Sequence, residues 1–243
     1  MQQALVEKWT AENNIAITDT QLQQLALHQE MVLEKNKYMN LTAITQPEEF
    51  AVKHIIDSLT LLPYIPQSRP GQPPKACKNI LESGPAPACM NELQQRPITL
   101  ADIGTGAGFP GMVLAIMRGD LHVTLVDSLR KRIVFLQDVV EKLGLTNVEC
   151  VHARAEDLAQ AGAAFDLCTA RAVARMDKLV KWALPITKGG GTFLAMKGAN
   201  IKDELDEAKP TLAKLGGMVK TVDLVEIGPG LVHSVVAIGL SAH

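Results

Sequence analysis

What this 243-residue chain lacks narrows it first. No run of residues approaches the roughly 18–20 apolar positions that a bilayer-spanning helix needs, so no membrane partner is expected. The amino terminus, Met1-Gln2-Gln3, has neither the basic n-region nor the apolar stretch of a secretion signal, which leads to the expectation of a cytoplasmic protein. The four cysteines, Cys77, Cys89, Cys150 and Cys168, form no Cys-x-x-Cys pair and have no ligand-like pairing with histidine. They read as reduced thiols, and no metal is expected. With a formal net charge of −2, the chain has no domain-wide basic footprint for nucleic acid. A local basic face can still sit on a nearly neutral protein.

What is present is an ordinary globular composition, 47% hydrophobic and 21% charged, enough for one large core or a core with an accessory lobe. Residues 1–65 read as an N-terminal helical lobe. Leu22, Leu25, Ala26, Met31, Val32 and Leu33 recur at helical spacing after a candidate cap at Asp19, and a second helix is expected from about Pro47 to Leu62. Residues 66–97 hold seven of the 13 prolines and read as a Pro-rich insert or loop. From residue 98 to 243 strand-like and helix-like runs alternate. Strands are expected at 98–103, 121–127, 148–152, 166–170 and 191–197, and helices at 112–118, 131–143, 178–184 and 201–215. Two further strand-like runs, 219–227 and 231–240, are joined by Gly-Pro-Gly. Such alternation predicts an α/β fold with a mostly parallel sheet, closed by an antiparallel hairpin.

The most informative segment is Ala101-Asp-Ile-Gly-Thr-Gly-Ala-Gly-Phe-Pro-Gly111, an apolar strand running into glycines at alternate positions. Glycine removes the Cβ that would keep a ligand away from the backbone. Two patterns overlap here. Gly104-x-Gly106-x-Gly108 suits the nucleoside of a methyl donor, and Gly106-x-Gly108-x-x-Gly111 spells the dinucleotide fingerprint. Asp102, at the mouth of the strand, suits the cationic amino group of S-adenosylmethionine and would repel a pyrophosphate. Asp127, at the end of the next strand, can accept from ribose hydroxyls, but both ligands carry a ribose. Ala155-Glu156 follows the third strand, where an adenine ring would lie. The terminal hairpin belongs with a seven-stranded methyltransferase sheet. Together these features favour a methyl donor over a dinucleotide.

Other segments stand in a fixed order along the chain: Asn40-Leu-Thr42, His54-Ile-Ile-Asp57-Ser58, the glycine loop, Leu125-Val-Asp127-Ser128, Arg130-Lys-Arg132, Arg154-Ala-Glu156, Ala170-Arg171-Ala-Val-Ala174 and Ala195-Met-Lys197-Gly198. In this set the chain resembles the bacterial small-subunit ribosomal RNA guanine-N7 methyltransferases, the group of glucose-inhibited division protein B. The resemblance runs from about residue 20 to 240. The Pro-rich stretch departs from the family pattern, and the C-terminal hairpin matches it loosely. The resemblance implies a class I S-adenosylmethionine-dependent methyltransferase fold, with a Rossmann-like seven-stranded sheet. It also implies a small-subunit ribosomal RNA partner, naked or in an assembling subunit, and a donor site using Gly104, Phe109, Ala155, Glu156 and Arg171. Two alternatives remain: a methyltransferase of a small molecule or protein, and a nucleoside-binding module without turnover.

Guanine N7 carries a lone pair and no proton, so in-line positioning suffices and no general base is expected. Arg171 and Lys197 are the candidates for positioning guanine or a phosphate. Three of the site residues also have a plainer reading. Phe109 can be a core residue of the loop–helix junction, Glu156 an exposed helix start and Arg171 a structural salt bridge. The basic residues at 130–132 and 171–181 can form a solvated face or an RNA-docking rim. His54 reads as structural, and Trp9 and Trp182 as packing residues.

Overall fold

The protein is described by a computed structural model covering residues 2–66 and 97–241. The Pro-rich stretch expected at 66–97 lies, apart from its two end residues, outside the described residues. The apolar run Ile98–Ile103 forms β1, which sits third in a seven-stranded sheet of order β3-β2-β1-β4-β5-β7-β6. It lies between β2 (Leu121–Asp127) and β4 (Phe165–Arg171), which are flanked in turn by β3 (Val148–His152) and β5 (Thr187–Gly198). These five strands pair in parallel, whereas β7 (Leu231–Leu240) runs antiparallel between β5 and the edge strand β6 (Gly217–Gly228). This is the expected α/β arrangement with its closing hairpin. Strand order reverses at β1, where the chain goes outward to β2 and β3 and then returns to β4. Open α/β sheets bind ligands at the carboxyl ends of strands around such a switch point.

The connecting helices are α5 (Gly111–Met117), α6 (Arg130–Leu143), α7 (Ala155–Gln160), α8 (Met176–Ala183) and α9 (Lys202–Leu215). Successive side chains of a strand point to opposite faces, and the core divides accordingly. Leu100, Met112, Leu125 and Leu136 belong to one buried cluster; Ala101, Cys168, Phe193 and Val236 belong to the other, beneath α8 and α9.

The N-terminal helices, α1 (Gln3–Glu12) and α2 (Asp19–Met39), share the first cluster through Val6, Leu22, Leu25 and Val32. The cap of α2 differs from the expectation. Thr18 is the N-cap, in a reciprocal capping box with Gln21, and Asp19 is the first helical residue. A hydroxyl three residues before a glutamine satisfies two terminal groups at once, while Asp19 supplies charge at the positive helix end. The single helix expected over 47–62 is instead composite: α3 (Pro47–Phe50), a π-helical segment (Ala51–Ile56) and α4 (Asp57–Leu59).

Candidate functional site

A cavity of about 300 Å³ opens at the carboxyl ends of β1, β2 and β3. Its lining includes Gly104 from the turn after β1, Asp127 and Ser128 at the end of β2, and Ala155 and Glu156 opening α7. Val173, beyond β4, and Trp182, on α8, complete it. Gly104 has φ +68°, and a Cβ there would stand 2.9 Å from a Val173 methyl, so glycine is needed for backbone shape as well as space. The size lies at the lower end of small-molecule clefts, roughly 300–1,000 Å³.

Two buried carboxylates shape the loop behind this cavity. The Gly104 and Thr105 amides donate to the Val126 carbonyl oxygen, and the Gly106 amide donates to Asp127 at 3.0 Å. Asp127 also accepts from the Leu129 amide and from Arg132 at 3.1 Å. Asp102 is fully buried and accepts from the Thr105 hydroxyl at 2.6 Å and the Gly111 amide at 2.9 Å. Its second oxygen has no partner among the described residues. Burial pushes its carboxyl up to about 6, although the hydrogen bonds from Thr105 and Gly111 pull the other way. Gly111 is explained by packing: a Cβ would fall 2.4 Å from Leu125 and 2.8 Å from Asp102. The Gly108, Phe109 and Met112 amides also donate within the loop, to Thr105 and Gly108 carbonyl oxygens. A pyrophosphate cradle needs such amides directed at the ligand. Here the amides of Gly104, Thr105, Gly106, Gly108, Phe109, Gly111 and Met112 all have internal acceptors.

The other side of the loop faces the N-terminal helices. Phe109 is 3% exposed and lies between two histidine rings. His28 and His54 each stack on it at 4.7 Å between centroids, and Phe50 meets it edge-on at 5.6 Å. His28 Nε2 donates to the Ala107 carbonyl oxygen at 2.8 Å. Burial pulls the His28 imidazole down to about 4, so it is neutral at pH 7. Burial, reinforced by the Arg171 charge, lowers His54 to about 3. Arg171 Nη2 donates to His54 Nδ1 at 3.0 Å. The His54 proton therefore sits on Nε2, which donates to the Thr42 hydroxyl oxygen at 2.8 Å.

Arg171, ending β4, also donates through Nη1 to Asp57 at 2.8 Å and to the Lys53 carbonyl oxygen at 2.9 Å. His233, on β7, bonds the other Asp57 oxygen. Burial opposes ionisation of Asp57, but the His233 hydrogen bond and the Arg171 charge outweigh it and hold its carboxyl below the ordinary range. Lys197, near the end of β5, donates to the Ala174 carbonyl oxygen at 2.8 Å and pairs with Glu204 at 2.7 Å.

Of the residues expected at the site, the cavity brings together Gly104, Asp127, Ala155 and Glu156. Asp102, Gly106 and Gly108 shape the loop from behind. Phe109 occupies the aromatic stack, and Arg171 and Lys197 are engaged by Asp57 and Glu204. Sequence reasoning did not single out Val173 or Ser128 as lining residues, and it treated Trp182 only as packing. Helical spacing carried a signal for Trp182: it lies six residues beyond Met176 on α8, off the buried stripe of Met176, Leu179, Val180 and Ala183. No sequence signal joins His28 to Phe109 or Asp57 to His233, which meet across 81 and 176 positions.

The model of the family named GidB, rRNA small subunit methyltransferase G, matches residues 21–73 and 76–229. The chain belongs to this family. It is 41% identical over 218 residues to the ribosomal RNA small subunit methyltransferase G of Lactobacillus helveticus, covering 88% of this chain and 80% of that one. Against the protein of the same name from Clostridium perfringens it is 40% identical over 238 residues, covering 96% and 88%. A solved Pyrococcus horikoshii protein superposes with a TM-score of 0.50 at 16% identity. It covers 68% of this chain and 67% of the other, a likeness of fold alone.

Proposed function

We propose that this family member transfers a methyl group from S-adenosylmethionine to guanine N7 in small-subunit ribosomal RNA. The observation that carries the donor reading is the cavity at the ends of β1–β3, which joins Gly104, Asp127, Ala155 and Glu156. Asp127 is positioned for ribose hydroxyls, Gly104 for close backbone approach, and Ala155-Glu156 for the base. The internally bonded loop amides argue against a dinucleotide, whose pyrophosphate needs free donors. When bound, the donor supplies an electrophilic methyl group.

The acceptor side falls to β4 and β5. Arg171 is in register with Met196, next to Lys197, so the two cations end adjacent strands. Both are held by carboxylates, Arg171 by Asp57 and Lys197 by Glu204, so from there they would act on guanine or a flanking phosphate only by sharing or exchanging those partners. Because N7 attacks through a lone pair, the protein's task is alignment and exclusion of water rather than proton removal. A base presented to a cavity of this kind is unpaired or extruded from its helix.

The test is transfer of labelled methyl groups from S-adenosylmethionine to small-subunit RNA, naked and in assembling particles, with the product mapped to N7. RNA from cells lacking the protein should lose one N7-methylguanosine. Undiminished N7 methylation in those cells would overturn the acceptor assignment.

A further inference from the structure

We infer that Trp182 forms the aromatic wall of the cavity's base-binding end, with its indole packing against the purine ring of an adenine nucleoside. The inference rests on the donor reading above and names a residue that grips the base. Trp182 is the one aromatic among the described lining residues. It comes from α8, which packs beside α7, and it therefore stands at the Ala155–Glu156 end of the cavity. Asp127, suited to the ribose, lies between β1 and this end, because β2 separates β1 from β3 in the sheet.

The surroundings suit a flat heterocycle. Val126 and Val173 supply aliphatic wall, while Ser128 and Glu156 supply polar groups at the rim. A carboxylate at position 156 accepts hydrogen bonds, which matches the exocyclic amino group of adenine. The indole packs against the edge of the second buried cluster but is not part of its interior. The inward stripe of α8 is already complete with Met176, Leu179, Val180 and Ala183, each at most 1% exposed. Trp182 remains half-buried beside that stripe, and its indole N–H makes no hydrogen bond to a described residue. An amphipathic ring with an apolar face and an unused donor is the usual equipment of a ligand wall.

The chain has two tryptophans, and Trp9 lies on α1 in the N-terminal part. A Trp9→Phe protein therefore isolates the emission of Trp182. Titration with S-adenosylhomocysteine should change that emission saturably, with the dissociation constant found by calorimetry. Adenosine should produce the same change at higher concentration, and methionine none. Trp182→Leu should weaken S-adenosylhomocysteine binding about tenfold, the scale of one base–aromatic stack, and Trp182→Phe by about threefold or less. Thermal unfolding of both variants separates lost binding from lost folding.

Binding by calorimetry with unchanged Trp182 emission and unchanged affinity in Trp182→Leu overturns this inference and leaves the donor reading standing. A wild-type protein that binds no S-adenosylhomocysteine overturns both.

Discussion

The glycine loop has two sides built on opposite principles. Towards the cavity it presents open space, a left-handed glycine at Gly104 and half-exposed or exposed partners such as Val173, Trp182 and Glu156. Towards the N-terminal helices it is closed. Ala107 and Phe109 are buried, His28 and His54 flank the ring, and Arg171 spans from β4 to Asp57 with donors assigned on both terminal nitrogens. The first side leaves capacity for a ligand; the second spends its polar groups within the protein. A loop that must admit a ligand on one side gains definition by being clamped on the other, because a pre-formed site loses less freedom on binding.

This contrast fails or sharpens through a graded set of substitutions. The largest expected effect is Phe109→Ala, which empties the space between His28 and His54. Loss of a buried aromatic should cost about 3–5 kcal/mol in urea unfolding. A change below about 1 kcal/mol would mean that the stack does not hold the helices to the loop. Arg171→Ala follows, at about 3 kcal/mol, since it leaves Asp57 buried with half its compensation. Arg171→Lys keeps the charge but cannot reach Asp57, Lys53 and His54 together, so it should restore only part of that stability. Normal stability of Arg171→Ala would separate this side from the fold.

On the cavity side the readout changes from stability to binding. Gly104→Asp adds bulk against Val173 and an anion beside the site. It should weaken S-adenosylhomocysteine binding by about 100-fold, while stability falls by about 1–2 kcal/mol from the left-handed backbone position. Calorimetry showing unchanged affinity would remove Gly104 from the site.

The pH dependence tests the carboxylate behind the loop. Burial pushes the Asp102 carboxyl up to about 6, above its ordinary value, so its contribution is expected to be fully present below about pH 4 and lost as pH rises through 6. His28 and His54 act oppositely: both are held below 6.5, so their contribution is present above that pH and lost as pH falls towards 4 and then 3. Asp102→Asn can still accept from Thr105 and Gly111, and it removes the buried charge. Its amide NH2 would replace the partnerless oxygen and offset much of the resulting gain at pH 7, but the acid loss should become steeper between pH 6 and 4, seen in urea midpoints. A variant with the parental pH profile would exclude Asp102 as the titrating group. Glu156→Gln is the smallest change, within about 0.5 kcal/mol of stability at this exposed position. Donor affinity should fall a few-fold, and unchanged affinity would move Glu156 away from the base.

Legibility in the sequence followed the range of the interactions. Strands β1, β2, β3 and β7 have the expected ends because an apolar run bounded by polar or glycine residues is a local signal. Strand β5 begins at Thr187 rather than 191, since Gly189, Gly190 and Gly191 hide its first residues from any hydrophobic pattern. The π-helical segment at 51–56 has no spacing of its own to separate it from an α-helix. Among site residues, Gly104, Asp127, Ala155 and Glu156 stood out because strand ends and turns are local. Phe109 and Arg171 also stood out, but as ligand contacts, and the structure gives both of them partners inside the fold.

By itself the sequence determined the α/β alternation, the closing hairpin and the position of the glycine loop at a strand's carboxyl end. Those features arise from hydrophobic period and backbone freedom, which act over a few residues. Tertiary structure decided which side of the loop is open and which is closed. Trp182 joined the cavity, and His28, Asp57 and His233 joined the clamp, through contacts between elements far apart in the chain. Such contacts form when apolar faces pack and buried polar groups must find partners, and nothing within one element specifies the partner.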